Sequence, residues 1–145
     1  MAQRAGSPVA LRGRNCAATL PWVDERGALG RQGEAVAAEY LEARDYRILA
    51  RNFRCRSGEI DLVALDGNIL VFVEVRSRRG SSAGTPLESV TPRKQQQVAR
   101  VARVFLSQRG WSERDARFDV VGIRFDDDPP TVEHLPAAFD AQGAA

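Results

Sequence analysis

A chain of 145 residues, 43% hydrophobic and 28% charged, can bury one core and is too short for two, so a single site is expected. No run approaches the roughly eighteen apolar residues of a membrane span, and no apolar block marks an export signal, so a soluble cytoplasmic protein without membrane contact is expected. Two cysteines, Cys16 and Cys55, form neither a disulfide framework nor a zinc site, and a net charge of +2 neither demands nor excludes a polyanionic partner.

The charge is regional. Arg44, Arg47, Arg51, Arg54 and Arg56 fall together, as do Arg76, Arg78 and Arg79, while Asp126, Asp127 and Asp128 concentrate acid elsewhere. Basicity is carried by twenty arginines and one lysine, Lys94.

Residues 1–28 mix Gly, Pro, Ala and Arg without periodicity and read as a disordered N-terminal tail. Over residues 29–44, Val36, Ala37, Tyr40 and Leu41 recur at helical spacing. Residues 46–56 read as a strand. Residues 59–65 and 69–77 are two β-rich runs around Asp66, Gly67 and Asn68, a hairpin signal. Residues 78–90, with Gly80, Ser81, Ser82, Gly84 and Pro86, read as a flexible loop. Thr91 caps a second helix opened by Pro92, stripes it with Val98, Val101, Ala102 and Phe105, and ends it at Gly110. Strands follow over 117–125 and, briefly, near 131–135, so one domain spans 29–136 and residues 137–145 form a C-terminal tail. Trp22 and Trp111 read as packing aromatics and His134 as structural; Asp119 has no assigned role.

Glu74 stands inside the apolar run from Ile69 to Val75. An uncompensated buried carboxylate costs several kcal/mol or is driven towards its neutral form, so Glu74 needs a partner, and Arg76, two residues on, shares its face. If Gly67 and Asn68 are the two loop residues, Asp61 faces Glu74 directly. A loop of Asp66 and Gly67 leaves the two acids diagonal, and a three-residue loop separates them. Like charges so placed repel unless a cation lies between them. Glu34 projects along the inward stripe of the first helix, beside small Gly33 and Ala37. Three carboxylates make an oxygen-rich shell that suits Mg²⁺ or Mn²⁺. Plainer readings are a Glu34 that favours the helix dipole, a solvated Asp61, and a Glu74 paired only structurally with Arg76.

Gly33-Glu34, Asn52-Phe53-Arg54, Gly58-Glu59-Ile60-Asp61-Leu62-Val63, Phe72-Val73-Glu74-Val75-Arg76-Ser77-Arg78 and Lys94-Gln95 resemble the YraN-like family of small bacterial proteins, over residues 30–121. The resemblance implies the PD-(D/E)xK nuclease superfamily, close in fold to archaeal Holliday-junction resolvases. It implies an α/β fold with a restriction-endonuclease-like core, a mixed central β-sheet flanked by helices in the order αβββαββ. Asp61 takes the place of the first motif acid, Glu74 of the second and Glu34 of the helix acid, all three as metal ligands. Arg76 occupies the lysine position. Arginine stays protonated and can position phosphate or stabilise charge but cannot take a proton from water, so Lys94, on the inward stripe of the second helix and assisted by Gln95, is the candidate replacement. Arg54, Arg78, Arg79, Arg93 and Arg100 are candidate phosphate contacts, with Arg103 beside them. The expected activity is Mg²⁺-dependent endonucleolytic cleavage of DNA, branched or structured DNA included; the alternatives are a noncatalytic nucleic-acid-binding or assembly module and a protein-interaction scaffold. Junction resolvases act as symmetric dimers, which adds a homodimer to the expected partners.

Overall fold

Small residues let the first helix lie close to the sheet, and β-branched runs build the strands beneath it. The structure, a computed structural model, describes residues 27–79 and 84–140. Expectations for the N-terminal tail, Cys16, Trp22 and the part of the loop at residues 80–83 lie outside the described residues. The element order is α1 (Ala28–Glu42), β1 (Arg47–Cys55), β2 (Gly58–Asp66), β3 (Ile69–Arg78), a 3₁₀ turn (Leu87–Ser89), α2 (Pro92–Arg109), β4 (Ala116–Arg124) and β5 (Thr131–Phe139). Helix α1 buries Gly30, Gly33, Ala37, Ala38 and Leu41 along one stripe. Thr91 accepts the Lys94 amide at 3.2 Å to cap α2, Pro92 opens it, and Gly110 closes it in the left-handed conformation at φ 69°.

The five strands lie in chain order, β1-β2-β3-β4-β5. Only β3 and β4 run parallel, because the β3–β4 connection carries α2 across the sheet while the other links are hairpins. One helix covers each face. Val98, Val101, Ala102 and Phe105 of α2 pack on Ile60, Val63, Leu70, Phe72 and Phe118. Ala37, Ala38 and Leu41 of α1 pack on Leu62, Val71, Val73, Val75, Val121 and Ile123. Trp111 borders the α2-side core as a packing aromatic. The central strands β2, β3 and β4 are thus apolar on both faces, as a fully covered sheet requires.

Strand β5 corrects the expected C-terminal boundary. It runs on to Phe139 instead of stopping near 135, so residues 137–139 belong to the sheet. Pro136 interrupts the sequence signal, but β5 is an edge strand, where a missing N–H is tolerated. The register slips between Phe118 and Val120, Ala137 takes φ 51°, and Phe139 then stacks on Phe118 with centroids 5.0 Å apart.

Candidate functional site

The β2–β3 hairpin closes on Gly67 and Asn68, with Asp66 paired to Ile69 and the ladder running to Leu62 opposite Val73. One further step in that register would set Asp61 opposite Glu74. There the strand departs from regularity: Ile60 joins the α2-side core whereas Leu62 joins the α1-side core, so alternation breaks at Asp61. Asp61 Oδ2 accepts the Val75 amide at 2.8 Å, a side chain taking the place of a ladder carbonyl. The carboxylate is 3% exposed. Burial first, then the charge of Glu74, push its pKa well above the usual carboxylate range; the Val75 hydrogen bond offsets part of this, Glu34 adds to it and Lys94 subtracts.

Glu74 follows Leu70 and Phe72 on the α2 side of β3 and is 2% exposed. Two cations meet the same oxygen. Arg76 Nη2 lies 3.6 Å and Lys94 Nζ 3.5 Å from Glu74 Oε2. Arg76 arrives by strand periodicity, two residues on; Lys94 arrives from the first turn of α2, which the Thr91 cap and Pro92 hold in place. The Arg76 side chain is 7% exposed and that of Lys94 22%, so the ammonium stands at the rim and the guanidinium beneath it. Gln95, next to Lys94, donates from Nε2 to the Val90 carbonyl at 3.0 Å and so fixes the turn that leads into α2.

Glu34 is half-buried in α1, one residue after Gly33. A Cβ built on Gly33 would overlap Ser77 Oγ and stand 3.2 Å from Ser77 Cβ, so glycine is what lets this turn of α1 approach β3. That approach brings Glu34 within electrostatic reach of Asp61. Among the described residues, no three His, Cys, Asp or Glu side chains are gathered closely enough to hold a metal ion by themselves. The three acids form a field around one spot and not a ready-made cage.

The candidate phosphate contacts separate. Arg79, Arg93, Arg100 and Arg103 are exposed. Arg54 is exposed too, but its Nε bonds Glu59 Oε1 at 2.9 Å. Arg78 corrects the expectation of a loop arginine: it is the last residue of β3 and 2% exposed, because the strand continues one residue past the expected end and turns the side chain inward. In that position it contributes to packing and is not a surface contact.

A third buried acid, on β4 and paired with Val73 of β3, organises a cluster on the α1 side of the sheet. Asp119 is fully buried and accepts from Arg117 Nε at 3.0 Å, His134 Nε2 at 2.7 Å and the Ala137 amide at 3.0 Å. Arg117 also donates to Asp66 at 3.0 Å and to the Tyr46 hydroxyl at 2.6 Å. Burial alone would raise the Asp119 pKa; the His134, Arg117 and Ala137 hydrogen bonds, with the Arg117 charge, outweigh it and hold the carboxyl below its usual range. The sequence carried one signal for this cluster, an acid inside an apolar strand with Arg117 two residues before it, but the other partners lie on β2, on β5 and at Tyr46 just before β1, at no common spacing.

The αβββαββ order, the single parallel pair and the polar side chains gathered where β2 and β3 part define the class: an α/β protein whose five-stranded mixed sheet is that of a restriction-endonuclease-like core. The family model described as "Uncharacterised protein family UPF0102" matches residues 33–123. A UPF0102 protein of Anaeromyxobacter dehalogenans is 52% identical over 120 residues, covering 83% of this chain and 90% of its own length. One of Geobacter sulfurreducens is 50% identical over 113 residues, covering 77% and 88%. One of Symbiobacterium thermophilum is 55% identical over 95 residues, covering 66% and 80%. The chain belongs to this family, the YraN-like proteins of bacteria, and the matched segment holds Glu34, Asp61, Glu74, Arg76 and Lys94.

Proposed function

We propose that this protein is a metal-dependent endonuclease that hydrolyses phosphodiester bonds of DNA, with Mg²⁺ or Mn²⁺ held at Asp61 and Glu74. The observation that carries the reading is Lys94, whose ammonium comes from α2 to within 3.5 Å of the buried Glu74 carboxylate. Two buried acids and a primary amine in one place are what hydrolysis of a phosphodiester needs, and a purely structural ion pair with Arg76 would need no second cation.

The donor set fits the ion. Asp61 and Glu74 offer oxygen alone, and crowding two carboxylates in a dry site is the situation a hard divalent cation relieves. Two acids without a cage suit Mg²⁺ in particular, which binds through one or two carboxylates and completes its shell with water and substrate phosphate. A bound ion supplies a water of lowered pKa and neutralises charge on the phosphate. The chain's own residues do the rest. The Val75 amide fixes the Asp61 carboxylate by its Oδ2. Arg76 stays protonated, so it orients a phosphate oxygen and accepts no proton. Lys94, at the rim, would orient the attacking water, and Glu34 would hold a water from the helix side. The resemblance to junction resolvases favours branched or structured DNA.

Arg76 in the lysine position favours a second reading, a nucleic-acid-binding module without turnover. Lys94 weighs against it, as does the retention of buried acids where a phosphate binder gains from their removal. Calorimetric titration of Mn²⁺ and cleavage of labelled DNA test both. The wild type is expected to bind Mn²⁺ and cleave; Asp61→Asn and Glu74→Gln are expected to lose metal affinity and at least about 100-fold in rate. DNA binding without cleavage selects the second reading, and cleavage that survives both substitutions ends the first.

A further inference from the structure

Basic side chains on the outer face of α2 meet the β1–β2 turn beyond the site just described. Gly58, at φ 142°, lies against α2 so closely that a Cβ there would stand 2.9 Å from the Gln97 amide. Next to this contact a groove of about 410 Å³ opens between Ser57 on the turn and Arg100, Arg103, Val104, Ser107 and Gln108 on the helix. Its lining ends in two guanidiniums, two hydroxyls and an amide, with no carboxylate. Arg100 and Arg103 are exposed, and among the described residues no acid pairs with either.

We propose that this groove binds phosphates of the same nucleic-acid strand whose scissile bond lies at Glu74 and Lys94, an inference that rests on the nuclease reading. Helical rise sets the spacing. Arg100 and Arg103 lie six and nine residues after Lys94, about 9 and 14 Å along α2 at the usual 1.5 Å per residue. Phosphates of one strand advance about 3.4 Å each along a duplex. The groove lies on the outer face of α2 while Lys94 faces inward, so the backbone reaches it at least about three to four nucleotides from the cleaved bond, after passing round the helix. Guanidiniums match the paired oxygens of a phosphodiester, and the Ser57 and Ser107 hydroxyls add neutral donors, so the contact positions the strand without reading its bases. Arg93, exposed at the start of the same helix, lies one residue before Lys94, on the side of the site away from the groove.

The test measures fluorescence anisotropy of a labelled DNA oligonucleotide against NaCl concentration. An Asp61→Asn background prevents cleavage during the measurement. Arg100→Gln/Arg103→Gln is compared with Arg44→Gln/Arg51→Gln, which removes the same charge from exposed residues: Arg44 lies over the Tyr40 ring, and Arg51 pairs with Leu62 of the α1-side core. Loss of two phosphate contacts is expected to flatten the log–log salt slope by about 1.4 for single strands to 1.8 for duplex, and to weaken binding about 25- to 60-fold at 0.1 M salt. The control pair is expected to change neither by more than a small fraction of that.

Equal effects in the two double variants overturn the groove while leaving the nuclease reading intact. A groove for a small phosphorylated ligand would instead show inorganic phosphate bound by the parent and lost in Arg100→Gln/Arg103→Gln, with oligonucleotide affinity no weaker than in the control; that also overturns the proposal. A flattened slope in a series whose Asp61-containing parent never cleaves upholds the groove and removes turnover from the reading above. No oligonucleotide binding by any chain removes both.

Discussion

Two buried carboxylates, Asp61 and Asp119, sit in apolar strands of the same sheet and are treated in opposite ways. Asp119 accepts from donors on two strands, Arg117 of β4 and His134 and Ala137 of β5, and its pKa is held down. Asp61 accepts the Val75 amide, faces the charges of Glu74 and Glu34, and its pKa is pushed up. Desolvation is costly in both places. At Asp119 the fold offsets that cost with hydrogen bonds, as a structural acid requires. At Asp61 the cost stands, as expected of a position that a ligand completes.

The largest effect expected from this contrast is on stability. Asp119→Ala leaves Arg117 and His134 without their common acceptor and is expected to cost about 3–5 kcal/mol by chemical denaturation, whereas Asp61→Asn removes a repelling charge and leaves the transition midpoint unchanged or higher. The pH dependence has a fixed sign. A carboxyl depressed in the folded state contributes stability that is fully present above its unfolded pKa of about 3.9 and is lost as pH falls through the lower folded value. Stability of the wild type should therefore fall as pH drops below about 4, and an Asp119→Asn variant should lose that part of the slope. An unchanged acid limb in the variant would deny Asp119 its part in the contrast.

A smaller effect is expected at the contact that brings Glu34 towards Asp61. Gly33→Ala should cost about 1–3 kcal/mol through overlap with Ser77, and Ser77→Ala should restore part of it, because the 3.2 Å contact to Ser77 Cβ remains. Full tolerance of Gly33→Ala would mean α1 is free to sit further from β3. The smallest expected effect is the most specific: Lys94→Arg keeps the charge beside Glu74 but not a primary amine, and should lower the cleavage rate about tenfold, some 1.4 kcal/mol in barrier, with DNA affinity unchanged. Equal rates for the two chains would make Lys94 a structural partner of Glu74, like Arg117 for Asp119.

Much of this was legible beforehand where local rules hold. Thr91, Pro92 and Gly110 marked both ends of α2, and Asp66-Gly67-Asn68 marked the hairpin, because caps and turns depend on neighbours in the chain. Glu74 was conspicuous because an acid in an apolar strand needs a reason, and Lys94 stood out as the one lysine on an inward stripe. Arg78 and β5 were misjudged for a shared cause. Arginine is usually exposed and proline usually ends strands, yet a covered strand end buried the first and a sheet edge admitted the second.

The sequence by itself determined the elements, their order, the pair of acids on β2 and β3, and the family motif, since each depends on residues within a turn or a strand of one another. Tertiary structure alone decided that alternation breaks at Asp61, that Lys94 reaches Glu74 across the gap between helix and sheet, and that Asp119 is saturated by partners from β4 and β5 and tied, through Arg117, to Asp66 of β2 and to Tyr46 just before β1. The physical reason is range: propensity and capping act over a few residues, whereas burial and charge act through space and are fixed only when distant segments have packed.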